Sequence, residues 1–209
     1  MSKKPAKEDI TTVYEKFLGI KTDDEEIFFG DASKLESSFY EASEYEGLME
    51  IFNYISMLPT DTLVDYGCGM GRVLFYCNQR FMCNVCGIEY DDEIYERLTD
   101  NAEYYHVRFK NQREKFNLLH MRAENYGVKP TDNYFYLFNP FSQGTMRRVL
   151  DNIKASLEEN PREAYIILYY CTPDILKTLK EYACFKVKHI VKLPSYRLDP
   201  YEKAYILTT

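Results

Sequence analysis

The fold of this chain is decided by ten residues, Leu63-Val64-Asp65-Tyr66-Gly67-Cys68-Gly69-Met70-Gly71-Arg72. The apolar residues around Asp65 predict the end of a short β-strand, and apolar residues at helical spacing after Gly71 predict a helix. Because glycine has no Cβ, the alternating glycines allow the backbone to turn sharply and to approach a ligand closely. In an open α/β sheet the ligand crevice forms beyond the carboxyl end of such a strand. The stretch therefore predicts a ligand-binding loop between a strand and a helix.

Strands and helices alternate from this loop to the end of the chain. Apolar runs predict strands at residues 62–66, 84–89, 116–120, 134–138, 164–170, 185–193 and 203–208. Helical spacing predicts helices at residues 71–81, 91–109 and 142–159, and another that begins at Pro173. The last two strands are joined by a link too short for a crossover helix, so we expect them to pair antiparallel. We therefore predict an α/β fold: a three-layer αβα sandwich with a seven-stranded, mostly parallel sheet and an antiparallel last strand.

Residues 1–58 lie outside this alternation. Apolar residues at helical spacing predict one helix over Ile10–Leu18 and a second over about Ser43–Leu58, which Pro59 ends. We therefore divide the chain into a helical N-terminal extension or lid, residues 1–58, and a sheet domain, residues 59–209.

Length and composition exclude several classes of protein. The chain has 209 residues, of which 45% are hydrophobic and 28% charged, and this composition is typical of one globular domain. A net charge of −7 disfavours binding to nucleic acid, because phosphate backbones attract basic surfaces. The longest strongly apolar run, residues 165–171, is far shorter than the roughly 20 residues of a membrane helix. No secretory signal is recognisable, so we predict reduced cysteines, a cytoplasmic location and no membrane partner.

Two ligand classes compete for the glycine loop. The dinucleotide motif G-x-G-x-x-G requires glycine at position 72, where this chain has Arg72, and a pyrophosphate gains nothing from Asp65 nearby. The pattern D-x-G-x-G-x-G instead resembles the first motif of class I S-adenosylmethionine-dependent methyltransferases. The resemblance spans roughly residues 60–209 and implies S-adenosyl-L-methionine as the cofactor. In that family the acid and the loop contact the methionine part, which implies cofactor-binding roles for Asp65, Gly67, Cys68, Gly69 and Gly71.

Later positions fit the same cofactor. Glu89 ends the second strand, where a carboxylate can accept hydrogen bonds from both ribose hydroxyls, and the family places its ribose-binding acid there. The next residue, Tyr90, is expected to pack on the adenine. After the third strand the family has a small residue and an acid that meet the adenine ring, and the resemblance carries these roles over to Ala123 and Glu124.

The acceptor side is predicted from the segment after the fourth strand, Asn139-Pro140-Phe141. It resembles the Asn-Pro-Pro-aromatic motif of methyltransferases that modify planar amines, but the second proline is missing, a departure that leaves methylation of bases or amides unsupported. The resemblance implies that Asn139 lies beside the cofactor and orients the acceptor as the catalytic residue, with Pro140 and Phe141 in the substrate pocket. Tyr40 and Tyr45, from the N-terminal extension, are expected to reach into this pocket as its roof.

These features predict an S-adenosylmethionine-dependent methyltransferase that requires no metal and whose acceptor is an unidentified small molecule or protein. Asn139 can orient an acceptor, but its amide cannot remove a proton at neutral pH. The alternative is a protein that binds S-adenosylmethionine or S-adenosylhomocysteine without methyl transfer, as a sensor or partner subunit. A pocket lined by Asn139, Phe141 and the N-terminal tyrosines favours the enzyme, and a sealed pocket favours the sensor. The oligomeric state is left open.

Overall fold

The computed structural model of the chain describes residues 9–23, 40–138 and 142–209. Its strands are β1 Thr62–Tyr66, β2 Asn84–Glu89, β3 Phe116–His120, β4 Tyr134–Phe138, β5 Tyr165–Tyr169, β6 Lys186–Lys192 and β7 Lys203–Thr208. Its α-helices are α1 Ile10–Leu18, α2 Tyr45–Ile51, α3 Arg72–Phe81, α4 Asp92–Arg108, α5 Gln143–Glu159 and α6 Pro173–Leu179. Each strand bound agrees with the sequence prediction to within one residue.

The strands form a single sheet in the order β3-β2-β1-β4-β5-β7-β6. The first five strands pair parallel, and β7 pairs antiparallel with both of its neighbours, β5 and β6. The predicted mostly parallel sheet with an antiparallel last strand is confirmed. Because the chain runs outward from β1 in two directions, towards β2 and towards β4, a crevice opens at the carboxyl end of β1.

Alternating residues of each strand face the two layers of helices. Leu63 of β1 packs in one hydrophobic cluster with α1, α2, α3 and α4, while Val64 packs in a second cluster with α5 and α6. Burial on both faces explains why β1, β2, β4 and β5 have largely apolar sequences. None of the described helices has both the length and the apolar character needed to cross a membrane.

The second helix is shorter than predicted: α2 ends at Ile51 instead of about Leu58. Ile55 and Met57 are buried while Ser56 and Leu58 are exposed, which is the alternation of an extended segment. The segment is held in this form by β4, because the Tyr134 hydroxyl donates to the Ser56 carbonyl at 3.0 Å. Ile55 stands at helical spacing in the sequence, and its tertiary contacts decide its conformation.

Helices α1 and α2 are packed against the sheet domain. Leu18 of α1 and Leu48 and Ile51 of α2 belong to the same buried cluster as Leu63 of β1. α1 begins at the N-cap Asp9, whose side chain accepts from the backbone N–H of Thr12, and ends at Gly19 in the left-handed conformation. The boundary at residue 58 stays a prediction.

Candidate functional site

A cavity of about 610 Å³ lies at the carboxyl ends of β1, β2 and β4. Its wall is formed by the glycine loop, by the residues that follow β2 and β3, and by a segment that precedes α2. The residues that line it include Tyr40, Glu41, Ser43, Asp65, Gly67, Cys68, Gly69, Arg72, Glu89, Tyr90, Arg122, Ala123, Glu124, Tyr136, Phe138, Ser142 and Thr145. Its size falls in the range of small-molecule sites, and it lies at the point where the strand order reverses.

The glycine loop turns through three residues in left-handed conformations. Gly67, Gly69 and Gly71 have φ values of 74°, 53° and 91°, a region that residues with a Cβ rarely adopt. The backbone N–H groups of Gly67 and Cys68 donate to the Ile88 carbonyl at 2.9 and 3.0 Å, so the loop is tied to the end of β2. Gly71 is the N-cap of α3 and does not line the cavity, whereas Gly67, Cys68 and Gly69 do.

Glu89 lies where the glycine loop and the end of β2 meet. Its side chain accepts from the backbone N–H groups of Gly69 at 3.1 Å, Tyr90 at 2.7 Å and Asp91 at 2.9 Å. Only 8% of the residue is exposed, and burial raises the pKa of its carboxyl above the ordinary value although the three N–H groups act in the opposite direction. A carboxylate held in this way has a fixed orientation towards the cavity.

Asp65 lies in the cavity wall without a hydrogen bond from any described residue. It is 3% exposed, and burial, followed by the charge of Glu89, holds the pKa of its carboxyl well above the ordinary value. Burying a carboxylate without a partner costs free energy, which a positively charged ligand offsets. Asp65 and Glu89 therefore give this part of the cavity an affinity for positive charge.

The far end of the cavity contains the residues predicted to meet the adenine. The Tyr90 ring lies under the Arg122 guanidinium, 4.7 Å from the ring centroid. Ala123 is buried at the start of a short 3-10 helix, Ala123–Asn125, and the Glu124 side chain accepts from Arg148 at 3.3 Å. The structure thus brings Tyr90, Ala123 and Glu124 into one cavity with Glu89.

The two tyrosines of the N-terminal extension lie in different places. Tyr40 lines the cavity, and a Cβ built on Gly69 would stand 2.3 Å from its Cε2 atom, so the ring rests on the glycine loop. Tyr45 is fully buried, stacked on Tyr14 at 4.6 Å and covered by the Arg72 guanidinium at 4.8 Å. This position in the core separates Tyr45 from the cavity.

Asn139, Pro140 and Phe141 lie outside the described residues. The residues on either side of them, Phe138 and Ser142, both line the cavity. Their assignment to the acceptor side stays a prediction.

Sequence reasoning missed the role of Arg72, which is the first residue of α3 and is 5% exposed. Its guanidinium donates to the Thr22 hydroxyl at 2.7 Å, to the Ser43 carbonyl at 3.1 Å and to the Glu15 carboxylate at 3.3 Å. A buried arginine needs acidic and carbonyl partners, but nothing in the local sequence indicates that they come from residues 15–43.

No protein-family model matches the chain, and no curated protein sequence matches it. Among solved structures, it is similar to an RNA methyltransferase from Salinibacter ruber in complex with S-adenosyl-L-homocysteine, with 12% identity, a TM-score of 0.59, and coverage of 80% of this chain and 93% of that one.

Two further solved structures have the same architecture. A geranyl diphosphate methyltransferase in complex with sinefungin is 16% identical, with a TM-score of 0.53 and coverage of 78% of this chain and 76% of that one. A geranyl diphosphate C-methyltransferase from Streptomyces coelicolor A3(2), with S-adenosyl-L-homocysteine, is 14% identical, with a TM-score of 0.54 and coverage of 91% and 85%. The chain thus shares the Rossmann-like α/β fold of these three methyltransferases, which is the fold that the sequence predicted.

Proposed function

We propose that this protein binds S-adenosyl-L-methionine and transfers its methyl group to a small-molecule or protein acceptor. The observation that carries the proposal is the contact between the Gly69 N–H and the Glu89 carboxylate in the wall of the cavity. This contact brings together, at one edge of the sheet, the glycine loop after β1 and the acid at the end of β2, the two motifs that the resemblance assigns to this cofactor. The structural neighbours that hold S-adenosyl-L-homocysteine or sinefungin support the same cofactor.

The residues of the cavity fit this ligand in charge and shape. Asp65 is buried without a partner among the described residues, and a positive charge on the methionine part satisfies it. Glu89 is held by backbone N–H groups and has remaining lone pairs for the ribose hydroxyls. Tyr90, with Ala123 and Glu124, provides the surface for the adenine.

The protein aligns the acceptor with the activated methyl group that S-adenosylmethionine supplies when bound. Alignment and exclusion of water are the main contributions a protein makes to such a transfer. Asn139 is proposed to orient the acceptor through its amide, with Pro140 and Phe141 beside it, and Phe138 and Tyr136 form the adjoining wall. Asp65, Glu89 and Glu124 are committed to the cofactor, so none of them is proposed as a general base.

The alternative function, a sensor that binds the cofactor without methyl transfer, requires a cavity that the cofactor fills. Tyr136 and Phe138 line the same cavity as the residues proposed for the cofactor. We propose that an acceptor enters beside them, at the carboxyl end of β4. The net charge of −7 disfavours a nucleic-acid acceptor, since phosphate backbones are attracted to basic surfaces.

The test combines a binding measurement with a transfer measurement. Calorimetry with S-adenosylhomocysteine, S-adenosylmethionine and NAD is expected to show binding of the first two and none of NAD. Incubation with methyl-tritiated S-adenosylmethionine and a fractionated cell extract is then expected to label one small-molecule or protein fraction. Binding without transfer to any fraction favours the sensor, and binding of NAD alone contradicts the proposed function.

A further inference from the structure

A short segment after α1 is attached to the outside of the glycine loop. We call residues 20–22 the strap. Asn101 of α4 fixes its backbone: the amide accepts from the Lys21 N–H at 2.8 Å and donates to the Lys21 carbonyl at 2.9 Å. The same amide donates to the Met70 carbonyl at 3.1 Å. One side chain therefore holds the strap and the glycine loop together.

Thr22 is the most highly connected residue of the strap, and it is 0% exposed. Its hydroxyl donates to the Glu15 carboxylate at 2.6 Å and accepts from Arg72 Nε at 2.7 Å. Its carbonyl accepts from the Tyr40 hydroxyl at 2.8 Å. Thr22 thus fixes Tyr40 on one side and the start of α3 on the other.

Tyr40 connects the strap to the glycine loop. Its ring rests on Gly69 at the point where any Cβ would stand. On its other side, Gly69 donates its N–H to Glu89. A continuous series of contacts therefore runs from Thr22 through Tyr40 and Gly69 to Glu89, although Thr22 itself does not line the cavity.

We propose that Thr22, together with Arg72, is a positioning residue of the cofactor site: it holds the Tyr40 ring against Gly69 and thereby sets the distance between the loop and Glu89. This inference rests on the proposed function and extends it, because it makes the N-terminal extension a part of the cofactor site. Small displacements of positioned groups have large effects on binding and on transfer, so a residue outside the cavity can control affinity.

The test compares substitutions of two buried threonines, one in the strap and one on the opposite face of the sheet. Thr22→Val keeps the shape of the side chain and the backbone carbonyl that accepts from Tyr40, but it removes the hydroxyl bonds to Glu15 and Arg72 that fix the position of that carbonyl. Thr178→Val is the matched control, since Thr178 is also 0% exposed and its hydroxyl donates to the Asp174 carbonyl at 3.1 Å, but it lies in α6 on the opposite face of the sheet. Thr22→Ser restores the hydroxyl and is expected to restore the wild-type behaviour.

The first measurement needs no ligand. Spectra of protein labelled with ¹⁵N-glycine report the backbone amide of Gly69, whose resonance is sensitive to the Tyr40 ring above it. Thr22→Val is expected to shift this resonance, whereas Thr178→Val and Thr22→Ser leave it in place. An unmoved Gly69 resonance in Thr22→Val overturns the proposal.

The second measurement is the dissociation constant of S-adenosylhomocysteine at a temperature where every variant is folded. Thr22→Val is expected to bind about tenfold more weakly than the wild type, within the usual range of coupling between sites, and Thr178→Val is expected to bind normally. Equal affinity in Thr22→Val overturns the proposal. If the wild type fails to bind S-adenosylhomocysteine while Thr22→Val still shifts Gly69, the proposed function is lost and the link from the strap to the loop stands.

Discussion

At the scale of single residues, the site depends on groups whose surroundings differ from their ordinary ones. Glu89 is a carboxylate surrounded by backbone N–H donors, and Gly69 is a loop residue between an aromatic ring and that carboxylate. Glu89→Gln changes the charge at constant size, and Gly69→Val adds a side chain where the Tyr40 ring lies.

The first residue-scale prediction concerns Glu89→Gln. An amide cannot accept from Gly69 on one side and from Tyr90 and Asp91 on the other, so the side chain turns away from its position. Affinity for S-adenosylhomocysteine is expected to fall by about 1.5–3 kcal/mol, the range for hydrogen bonds to a charged group. Calorimetry measures the change, with Glu96→Gln on the exposed side of α4 as the control. Unchanged affinity removes Glu89 from the site.

The second concerns Gly69→Val. The residue has φ +53°, and its new Cβ would collide with the Tyr40 ring at 2.3 Å, so both the loop and Tyr40 must move. We expect loss of S-adenosylhomocysteine binding together with a lower urea midpoint. Gly127→Val, at a position with open space around the Cβ, is expected to change neither. A Gly69→Val protein that binds normally would show that ligand binding does not depend on the positions of Tyr40 and the loop.

At the scale of elements, the sequence predicted the strands and α1 well and α2 less well. Strands β1, β2, β4 and β5 are buried runs bounded by turns, and the local pattern is sufficient to predict them. α2 was predicted too long because Ile55 keeps helical spacing while the Tyr134 hydroxyl holds the neighbouring carbonyl in an extended segment. Tyr45 was assigned to the pocket because sequence alone does not show which of two nearby tyrosines stacks in the core. Contacts between distant parts of the chain decide such cases.

The element-scale prediction concerns the packing of α3 on β2. Gly87 of β2 has no room for a side chain, since a Cβ would stand 2.5 Å from Leu74 Cδ1 and 2.9 Å from Cys68 Sγ. Gly87→Ala is therefore expected to destabilise the protein by about 1–3 kcal/mol, as overpacked cores do. Urea unfolding measures the loss, and Gly127→Ala serves as the control in open space. A wild-type midpoint for Gly87→Ala would show that α3 is free to move away from the sheet.

At the scale of the whole molecule, stability and ligand binding place opposite demands on the cavity. Burial holds the pKa of Asp65 above the ordinary value, so the native state retains a proton at pH values where the unfolded chain has released it. The free energy of unfolding therefore falls as the pH rises through this interval, and the penalty is fully present above the raised pKa. The ligand-free protein is expected to be destabilised in this way at neutral pH, because the charge that binds the ligand is buried without a partner.

The whole-molecule prediction concerns Asp65→Asn and the pH dependence of the free energy of unfolding. Asp65→Asn removes the buried charge, so the ligand-free variant is expected to be more stable than the wild type at pH 8, and this advantage is expected to shrink towards pH 4, where the native wild type holds its proton. Its affinity for S-adenosylhomocysteine is expected to fall. Urea unfolding at the two pH values measures the difference, with the exposed Asp100→Asn as the control. Lower stability of Asp65→Asn at pH 8 would show that a counter-charge already satisfies Asp65.

The position of β7 has a consequence for the order in which the sheet is completed during synthesis. β7 follows β6 in the chain but lies between β5 and β6, so β6 has no partner strand until residues 203–208 have left the ribosome. In that interval β6 is an unpaired edge that neighbouring nascent chains can join. Its lysines, Lys186, Lys188 and Lys192, are exposed and repel such pairing. The lysines that lie on the edge of the finished sheet therefore also protect the nascent chain from aggregation.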